Sequence, residues 1–440
     1  MTVSIRKPAR WVVVGALVAL AAACAAGPQS TQPPQTSPGA SGAPQVDPLA
    51  PYAPSGHAAM DAWRMSFAAR ASADGRDPAV IRAVLEDIRP LDIFLGDSVT
   101  AQSAIEDQAE FAKPIWEYLR TAVSESRRVN GAELLAGTPD MWSELEGRYG
   151  VNRDALTAIW GMETNFGSYI GTFDAANTLA NMAVEGRRRS FAESELLALM
   201  KILERGDAER SDLVSGWAGA MGQTQFMPST YLTHAEDFDG DGRKDVWRNT
   251  SDALASAAHY LSMSGYEFGQ PWGLEVTLPD EFDYSLADGR ERRVQSWQAQ
   301  GVTIVDTARG AQISDGKYGE LWVPAGHRGP KFLLFKNFNV FKTYNRADSY
   351  ALAVGMLSDA VAGRSTLSTP WPSDLQPLSV AQVKQLQDGL NRLGFDAGPV
   401  DGIAGRGTKG ALRRFQAESG FIADGFPTTE MLAYVLSAAG

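Results

Sequence analysis

The sequence contains very little cysteine and histidine, which narrows the chemistry that it can support. Cys24 is the single cysteine among 440 residues, so no disulfide can form within the chain. The four histidines, His57, His234, His259 and His327, do not pair with another His or Cys at a spacing typical of zinc sites. Zinc chemistry and a cysteine nucleophile are therefore poorly supported.

Positive charge is also scarce relative to negative charge. Lysine and arginine number 40 against 52 aspartates and glutamates, which gives a net charge of -12 and a pI of about 5.0. Neutralising phosphates requires a basic surface, so this balance argues against nucleic acid as a partner. The sequence also has no G-x-S-x-G elbow and no phosphate-binding P-loop.

Long apolar runs are missing as well. The run Trp11–Ala23 is too short for an ordinary transmembrane helix, and Arg6, Lys7 and Arg10 precede it. This layout is typical of a signal peptide. Cys24 follows the run directly and resembles the lipidated residue of a bacterial lipoprotein. The alternative is secretion by cleavage after the preceding alanines, without a lipid.

Changes in composition divide the chain into five predicted regions. Residues from 27 to about 55 are rich in Pro, Gln, Ser, Thr, Ala and Gly and cannot bury a core. Three prolines mark a second break before the last sixty residues. The predicted regions are a signal peptide with a lipidation site (1–24), a disordered tether (25–56), a large domain (57–364), a linker (365–377) and a small C-terminal domain (378–440).

Apolar spacing predicts a mainly α, or α+β, fold for the large domain. A three-to-four-residue period predicts helices at Ala58–Ser72, Pro78–Ile88, Gln102–Asn130, Asp140–Tyr149, Phe191–Arg205, Ser251–Ser264 and Arg346–Ala362. Short β-rich segments predict strands at Leu274–Leu278, Val302–Val305 and Lys331–Phe335. We therefore expect a small β element packed on a helical lobe.

A further helix is predicted within residues 155–167, and it contains the most informative residue of the chain. Asn152 is its expected N-cap and Gly167 its expected stop. Glu163 shares a helical face with the apolar residues Ile159 and Trp160. Desolvation and the helix dipole would both raise the pKa of such a carboxyl, as a general acid requires. The alternative is a solvated or salt-bridged glutamate at a fraying helix end.

Two other segments could carry function. Residues 215–229 combine small residues with Gln223 and Gln225, whose amides suit sugar hydroxyl and acetamido groups, although a tight packing turn has the same composition. Residues 237–248 match the first part of an EF-hand loop, but Arg248 stands where a bidentate Glu is expected. Asp252 is a substitute from further along the chain. The predicted calcium ligands are Asp237, Asp239, Asp241, Arg243 and Asp245.

Four ordered segments together resemble the membrane-bound lytic transglycosylase B family of bacterial cell-wall enzymes. They are residues 161–167 (GMETNFG), 218–229 (AGAMGQTQFMPS), 237–242 (DFDGDG) and 344–353 (YNRADSYALA). The resemblance covers about two hundred residues. It implies a lysozyme-like helical catalytic domain that cleaves the bond between N-acetylmuramic acid and N-acetylglucosamine and leaves a 1,6-anhydromuramic end.

The same resemblance implies roles for individual residues. Glu163 would act first as acid and then as base, with the substrate's acetamido group in place of a second carboxylate and no cofactor required for the chemistry. Asp174, the nearest acid downstream, is interpreted as structural. The residues expected to hold sugar are Ser215, Gln223, Gln225, Tyr260, Tyr344 and Asn345. In the family a hydroxyl residue often stands where this chain has Gly216, and Ser215 is its neighbour.

The C-terminal residues resemble a small three-helix peptidoglycan-binding domain. The matching stretch runs from Val383 through the Gly398–Gly402 turn to Gln416, with Leu386 and Leu390 on a buried stripe. Its expected role is to raise the local concentration of the enzyme on the wall. The alternative is a structural appendage.

These inferences converge on an exported lytic transglycosylase of peptidoglycan glycan strands. We expect it in the periplasm, anchored to the outer membrane through Cys24. Two rival functions remain at this point, a muramidase that uses water and a non-catalytic wall-binding scaffold.

Overall fold

The computed structural model describes residues 46–95, 114–364, 367–376 and 378–440, and most of these residues are helical. Cys24, the predicted signal peptide and the first part of the predicted tether lie outside the described residues. Within the described ranges, no helix combines the length and the apolar character that crossing a membrane requires.

The helices before the first strand confirm most of the predicted ones and correct three of them. They are α1 (Ala58–Ala73), α2 (Pro78–Leu85), α3 (Asp92–Leu95), α4 (Ile115–Ala122), α5 (Glu125–Gly137), α6 (Pro139–Tyr149) and α7 (Arg153–Thr164). The single helix predicted to run to Asn130 is wrong in its described part. Ser124 interrupts it because its hydroxyl accepts a hydrogen bond from the Arg127 N–H and so caps α5. Helix α2 ends at Leu85 rather than Ile88.

Several of the remaining helices of the large domain are short, and the apolar period of the sequence did not predict all of them. They are α8 (Ala175–Glu185), α9 (Arg189–Arg205), α10 (Pro228–His234), α11 (Thr250–Met263), α12 (Val294–Ala299), α13 (Thr307–Gly310), α14 (Lys336–Phe341) and α15 (Asp348–Val361). Single 3-10 turns lie at Arg210–Asp212, Tyr284–Leu286 and Gly326–Arg328. Helices of one to two turns bury too few residues to show a clear period. The longer helix α8, with 11 residues, was also not predicted.

The strands form two antiparallel sheets. They are β1 (Phe173–Asp174), β2 (Val214–Ser215), β3 (Gly273–Thr277), β4 (Glu291–Arg293), β5 (Thr303–Ile304), β6 (Tyr318–Trp322) and β7 (Lys331–Leu334). Strands β1 and β2 pair with each other, and the other five have the order β4-β6-β7-β3-β5. The three predicted strands are confirmed as β3, β5 and β7, whereas β4 and β6 were not predicted. The sequence thus indicated the β element but not its full width.

Three apolar clusters stabilise the large domain. The first joins α1, α2, α8 and α9 around residues such as Phe67 and Leu199, both almost fully buried. The second packs α7 and α15 against each other, with Ile159 and Leu357 at its centre. The third lies under the five-stranded sheet. Because α7 and α15 share the second cluster, their relative position is fixed by burial.

Residues 46–56 correct the predicted extent of the tether. Instead of being disordered, they pack on the large domain. The Arg64 and Arg82 guanidinium groups donate hydrogen bonds to the carbonyl oxygens of Ala53 and Ala50 at 2.6 and 2.7 Å, and Arg82 lies over the Tyr52 ring. These hydrogen bonds and the Tyr52 ring between two arginines attach this segment, although its composition resembles a linker.

The described part of the predicted linker is likewise attached. The backbone N–H groups of Ser368 and Thr369 both donate to the Glu275 carboxylate at 2.8 Å, and Trp371 contacts Trp116. The C-terminal domain that follows consists of the three predicted helices, α16 (Val380–Arg392), α17 (Arg406–Glu418) and α18 (Thr429–Ala439), around a core of its own.

Candidate active site

Helix α7 carries Glu163 in its last turn. Asn152 is the N-cap as predicted, but its side chain makes no capping hydrogen bond. Its side-chain oxygen Oδ1 instead accepts hydrogen bonds from the Tyr266 hydroxyl and the Gly269 N–H at 3.1 and 2.9 Å. The predicted stop at Gly167 is wrong. The helix ends at Thr164, and Asn165 already has a left-handed conformation with φ 48°.

The turn after Glu163 is conformationally strained. Asn165 and Phe166 are consecutive non-glycine residues with positive φ, at 48° and 61°. Such conformations persist only where the surrounding structure imposes them, and they cluster at functional sites. Here the Phe166 ring packs edge-on against Trp160 at 5.6 Å, and the Thr164 hydroxyl accepts from the Gly167 N–H at 3.0 Å. Packing therefore holds the chain beside Glu163 in one conformation.

Tyr350 is the direct neighbour of Glu163 that sequence reasoning did not assign to the site. Its hydroxyl donates a hydrogen bond to Oε1 of Glu163 from helix α15. Burial, and then the charge of Glu163, raises the pKa of Tyr350 well above its ordinary value, so the hydroxyl stays protonated and remains a donor. Tyr350 stands in the quoted segment 344–353, and its helical position facing α7 could have indicated it.

Tyr344 and Tyr260 form an aromatic wall next to this pair. The centroids of their rings lie 5.1 Å apart, and both rings contact Phe226. The Tyr260 hydroxyl donates a hydrogen bond to the carbonyl oxygen of Thr343 at 2.9 Å. The Tyr344 hydroxyl is buried and finds no hydrogen-bond partner among the described residues. Burial, followed by the charge of Glu163, raises the pKa of Tyr344. An unsatisfied buried hydroxyl near an active-site carboxyl favours a role in holding a polar ligand.

The other predicted sugar-binding residues are positioned differently from one another. The Gln225 side chain is partly exposed and donates to the carbonyl oxygens of Ile170 and Gly222 at 3.3 and 3.1 Å, and its backbone has φ 51°. Asn345 adjoins Tyr344, and its side-chain oxygen accepts from the Ala347 N–H at 3.0 Å. Gln225 directly precedes Phe226, which both wall tyrosines contact, and Asn345 directly follows Tyr344.

Ser215 and Gln223 are buried and hydrogen-bonded within the protein. The Ser215 hydroxyl donates to the carbonyl oxygens of Phe173 and Gly216, and the residue has no exposed surface. The Gln223 amide accepts from Trp160 Nε1 at 3.1 Å and is 4% exposed. In this structure both side chains hold the loop against α7 and the small sheet.

Asp174 has the structural environment that the sequence suggested. Its carboxylate accepts from the Asn177 N–H at 2.7 Å as the N-cap of α8, and it forms an ion pair with Arg210. A carboxylate committed to a helix cap and a guanidinium is a poor general base.

The Asp237 loop brings together a different set of acids from the one predicted. Asp237, Asp239 and Asp252 each offer a carboxylate oxygen within 4.8 Å of the others. Asp241 and Asp245 lie outside this group, although they accept hydrogen bonds from backbone N–H groups as its members do. Three convergent carboxylates are hard oxygen donors of the kind that calcium binds. The structure therefore groups Asp252 with two of the predicted ligands, Asp237 and Asp239, while Asp241, Arg243 and Asp245 stay predictions.

Arg248, which stands at position 12 of that loop, has a structural partner. Its guanidinium forms an ion pair with the buried carboxylate of Asp212, which also accepts from the Glu209 N–H at 3.0 Å. The residue that departs from the calcium-binding pattern is thus used to attach the loop to the 3-10 turn before β2.

Comparison with known proteins gives matches along both domains. The family model of the transglycosylase SLT domain matches residues 59–359, and that of a peptidoglycan binding domain matches residues 379–434. Membrane-bound lytic murein transglycosylase B of Escherichia coli K12 is 28% identical over 228 residues, which are 49% of this chain and 58% of that protein. The match thus spans less than two thirds of that curated relative.

Solved structures extend the similarity to most of the chain. SltB3 of Pseudomonas aeruginosa, solved in complex with NAG-anhNAM-pentapeptide, is 41% identical, with a TM-score of 0.79 over 86% of this chain and 100% of that one. The soluble lytic transglycosylase SltB1 of the same organism is 26% identical, with a TM-score of 0.59 over 68% of this chain and 98% of that one.

Proposed function

Because the chain belongs to the transglycosylase SLT domain family of lytic transglycosylases, we propose that it cleaves the β-1,4 bond between N-acetylmuramic acid and N-acetylglucosamine in peptidoglycan. The cleavage uses no water and leaves a 1,6-anhydromuramic end. The observation that carries this proposal is the position of Glu163, which is partly exposed at the end of a buried helix and hydrogen-bonded by Tyr350. A similar protein bound to an anhydromuramic product supports it.

In the proposed mechanism Glu163 transfers the proton twice. The protonated carboxyl gives its proton to the glycosidic oxygen, and the bond from that oxygen to C1 of the muramic residue breaks. The carboxylate then accepts the proton of the C6 hydroxyl while O6 forms a bond to C1. Between these steps the Tyr350 hydroxyl stabilises the carboxylate, because a hydrogen bond to a charged group is stronger than one to a neutral group. The raised pKa that the sequence predicts for Glu163 stays a prediction.

A single-carboxylate mechanism fits the surroundings of Glu163 better than a two-carboxylate one. A retaining or inverting hydrolase requires a second acid across the scissile bond. Asp174, the nearest acid downstream, is held by Arg210 and the N-terminus of α8. We assign the corresponding stabilisation of the intermediate to the acetamido group of the substrate.

For substrate binding we propose the partly exposed residues of the aromatic wall and its border. Tyr260 and Tyr344 offer ring faces, the unpartnered Tyr344 hydroxyl offers a hydrogen bond, and Gln225 and Asn345 offer amides. Ser215 and Gln223 contribute indirectly by holding the loop that carries Gln225.

The experiment that tests this function is mass spectrometry of the soluble products from purified peptidoglycan. Products lighter than hydrolysis products by one water are expected, and Glu163→Gln should yield none while retaining the fold and wall binding. Products with a free reducing muramic end would replace the proposal with a muramidase. Activity that survives in Glu163→Gln would overturn the assignment of this residue, and wall binding without any product would favour a scaffold.

We propose that the Asp237 loop binds calcium in a structural role, with Asp237, Asp239 and Asp252 as its carboxylate ligands. The ion would neutralise three adjacent negative charges, so calcium should raise the melting temperature of the wild type. Asp239→Asn should remove this response, while Asp280→Asn, at an exposed site elsewhere, should keep it. An equal response in both variants would contradict the site.

We further propose that the protein is exported to the periplasm and anchored to the outer membrane by lipidation of Cys24, while the C-terminal domain holds it on the wall. The signal-peptide pattern and the match over residues 379–434 support this arrangement. Membrane fractionation of cells that produce Cys24→Ser tests the anchor. The variant should move to the soluble periplasmic fraction, and an unchanged distribution would exclude a lipid on Cys24.

A further inference from the structure

A cleft of about 340 Å³ separates the C-terminal domain from the large domain. One wall consists of the turn before β4, strand β6 and the first residue of α15, and the other consists of α17 and the turn that follows it. Cavities of this size hold small ligands in many proteins. The cleft therefore has room for a short peptide or a comparable molecule between the two domains.

The two walls of the cleft carry charged side chains that have no ion-pair or hydrogen-bond partner among the described residues. Arg406 and Lys409 on α17 and Glu320 on β6 line the cleft, and none of their three side chains forms an ion pair or a hydrogen bond with a residue that the structure describes. Other acids in the cleft are already paired, since Asp288 binds Arg292 at 2.9 Å and Asp424 binds His327 at 2.7 Å. Positive charge on one wall thus faces negative charge on the other.

These unpaired charges are unfavourable in the free protein. Burial lowers the pKa of Lys409, and burial together with the charge of Asp348 raises the pKa of Glu320. Both shifts mean that the surroundings disfavour the ionised forms. Asp348 partly offsets the effect of burial on Lys409, and Arg406 partly offsets it on Glu320, but neither charge lies at hydrogen-bond distance. A ligand with groups of both signs would stabilise the ionised forms of both residues further, because each would gain a directly hydrogen-bonded counter-charge in a partly desolvated site.

The large domain leaves space for this arrangement. Gly289, in the turn before β4, has no side chain at the point where Arg406 crosses from the C-terminal domain. A Cβ at this position would lie 3.3 Å from the Arg406 guanidinium. The arginine is therefore accommodated at the edge of the cleft without being bound there.

The cleft also reaches the element that carries the active site. Asp348 lines it and is the first residue of α15, and Tyr350, which binds Glu163, follows two residues later. Two residues advance a helix by about 3 Å. A ligand in the cleft thus lies beside the N-terminal turn of the helix that positions the catalytic carboxyl.

We propose that this cleft binds the stem peptide of peptidoglycan. The inference rests on the proposed function, which supplies the substrate. The sugars of a glycan strand are uncharged where the lactyl group is amidated, so the charged groups of the substrate belong to its peptides. A stem peptide carries both carboxylates and an amino group. Its carboxylates bind Arg406 and Lys409, and its amino group binds Glu320 across the cleft.

Direct binding is the first test. The Glu163→Gln protein, otherwise full-length, is titrated calorimetrically with a synthetic stem tetrapeptide that has a free side-chain amino group. Adding Arg406→Gln and Lys409→Met should weaken binding at least about tenfold, the change expected for losing charge-assisted hydrogen bonds. Lys409→Arg should restore most of the affinity that Lys409→Met removes. The matched control is Lys384→Met, an exposed lysine of the same domain, which should bind as tightly as the parent.

A kinetic test separates this inference from the proposed function. The value of kcat/KM is compared for glycan strands that carry peptides and strands from which an amidase has removed them. Lys409→Met should lower the ratio of the two values about tenfold, and Lys384→Met should leave the ratio unchanged. Turnover of both substrates with an unaltered ratio in Lys409→Met would overturn the cleft assignment alone. Peptide binding by a protein that turns over neither substrate would overturn the proposed function alone.

Variants that lose the domain contact would mimic a loss of binding, so the melting curve of each variant is measured. A protein that melts as the wild type does and binds the tetrapeptide equally well with and without Lys409 and Arg406 contradicts the proposal.

Discussion

At the scale of single residues, the contact between Glu163 and Tyr350 defines the catalytic group. Glu163 is supplied by the end of α7, whereas Tyr350 lies 187 residues later on α15. Burial raises the pKa of Tyr350 well above its ordinary value of 10, so the phenol remains protonated over the pH range in which a glutamate titrates. The pair therefore combines a carboxyl that exchanges a proton with a donor that does not.

Removing the Tyr350 hydroxyl should slow the reaction. A hydrogen bond to a charged group contributes about 1.5–3 kcal/mol, so Tyr350→Phe should reduce kcat/KM by roughly 10- to 100-fold. The measurement is the rate of anhydromuropeptide release. Tyr434→Phe, at a half-exposed tyrosine of the C-terminal domain, serves as the control and should keep the wild-type rate. An undiminished rate in Tyr350→Phe would show that Glu163 needs no donor.

At the scale of elements, the strained turn after α7 depends on how closely Phe166 packs on the helix. A Cβ added at Gly161 would lie 2.7 Å from the Phe166 ring. The helix therefore requires a residue without a side chain at this position, although glycine lowers helix propensity. The contact between the Phe166 ring and helix α7 therefore determines the conformation of the turn.

Two glycine-to-alanine changes should consequently have opposite effects on stability. Gly161→Ala should lower the free energy of unfolding by about 1–3 kcal/mol, because the added methyl group displaces the Phe166 ring. Gly147→Ala, in the exposed part of α6 with no atom near the new Cβ, should raise it by about 0.5–1 kcal/mol. Urea unfolding monitored by circular dichroism measures both. If Gly161→Ala raised the free energy of unfolding, the Phe166 ring would be able to move and accommodate the added methyl group.

The ion pair between Arg248 and Asp212 gives the loop region a pH-dependent stability. Burial alone would raise the pKa of Asp212, but hydrogen bonds from the Glu209 N–H and from Arg248 outweigh burial and hold the pKa below its ordinary 3.8. A carboxyl with a lowered pKa stabilises the fold above the pKa of the unfolded chain. This contribution is lost as the pH falls through the lower folded-state value.

Asp212→Asn should therefore be destabilising at neutral pH and much less so in acid. At pH 7 the loss should be about 1–3 kcal/mol, as expected when a buried charge-assisted pair is removed. The difference between variant and wild type should shrink as the pH falls below 3.8. Urea unfolding at several pH values provides the measurement, with Asp280→Asn as the control. A difference that is the same at every pH would exclude this ionisation as its source.

At the scale of the whole molecule, Asp424 joins the C-terminal domain to the large domain. Its carboxylate is 5% exposed and accepts hydrogen bonds from the His327 backbone N–H and ring at 2.9 and 2.7 Å. Its other oxygen accepts from Gln416 and Phe426 within the C-terminal domain. One residue thus stabilises both the C-terminal domain and its contact with the large domain.

The two partners of this contact should respond differently to substitution. His327→Ala removes one hydrogen bond between the domains, which should weaken their coupling by about 0.5–1.5 kcal/mol. Asp424→Ala also breaks bonds inside the small domain and should lower its melting temperature further. Scanning calorimetry distinguishes the transitions, and Asp388→Ala, on the exposed face of α16, should leave the scan unchanged. Equal scans for all three variants would show that the contact contributes nothing to stability.

The sequence by itself determined the helical class of the fold, the approximate boundaries of most helices that it predicted, the β element and the position of Glu163. Periodic burial and local capping act over a few residues, so their signals are contained in short stretches of sequence. The motif segments from 161 to 353 added the family resemblance and, with it, the expected reaction.

Only the tertiary structure decided which residues meet. It joined Tyr350 to Glu163, placed Asp252 beside Asp237 and Asp239 in the acidic cluster, and buried Gln223 against Trp160. It also attached residues 46–56, which by composition resemble a tether. These outcomes depend on contacts between residues far apart in the chain, and burial and hydrogen bonding at such contacts depend on the packing of whole elements rather than on any local pattern.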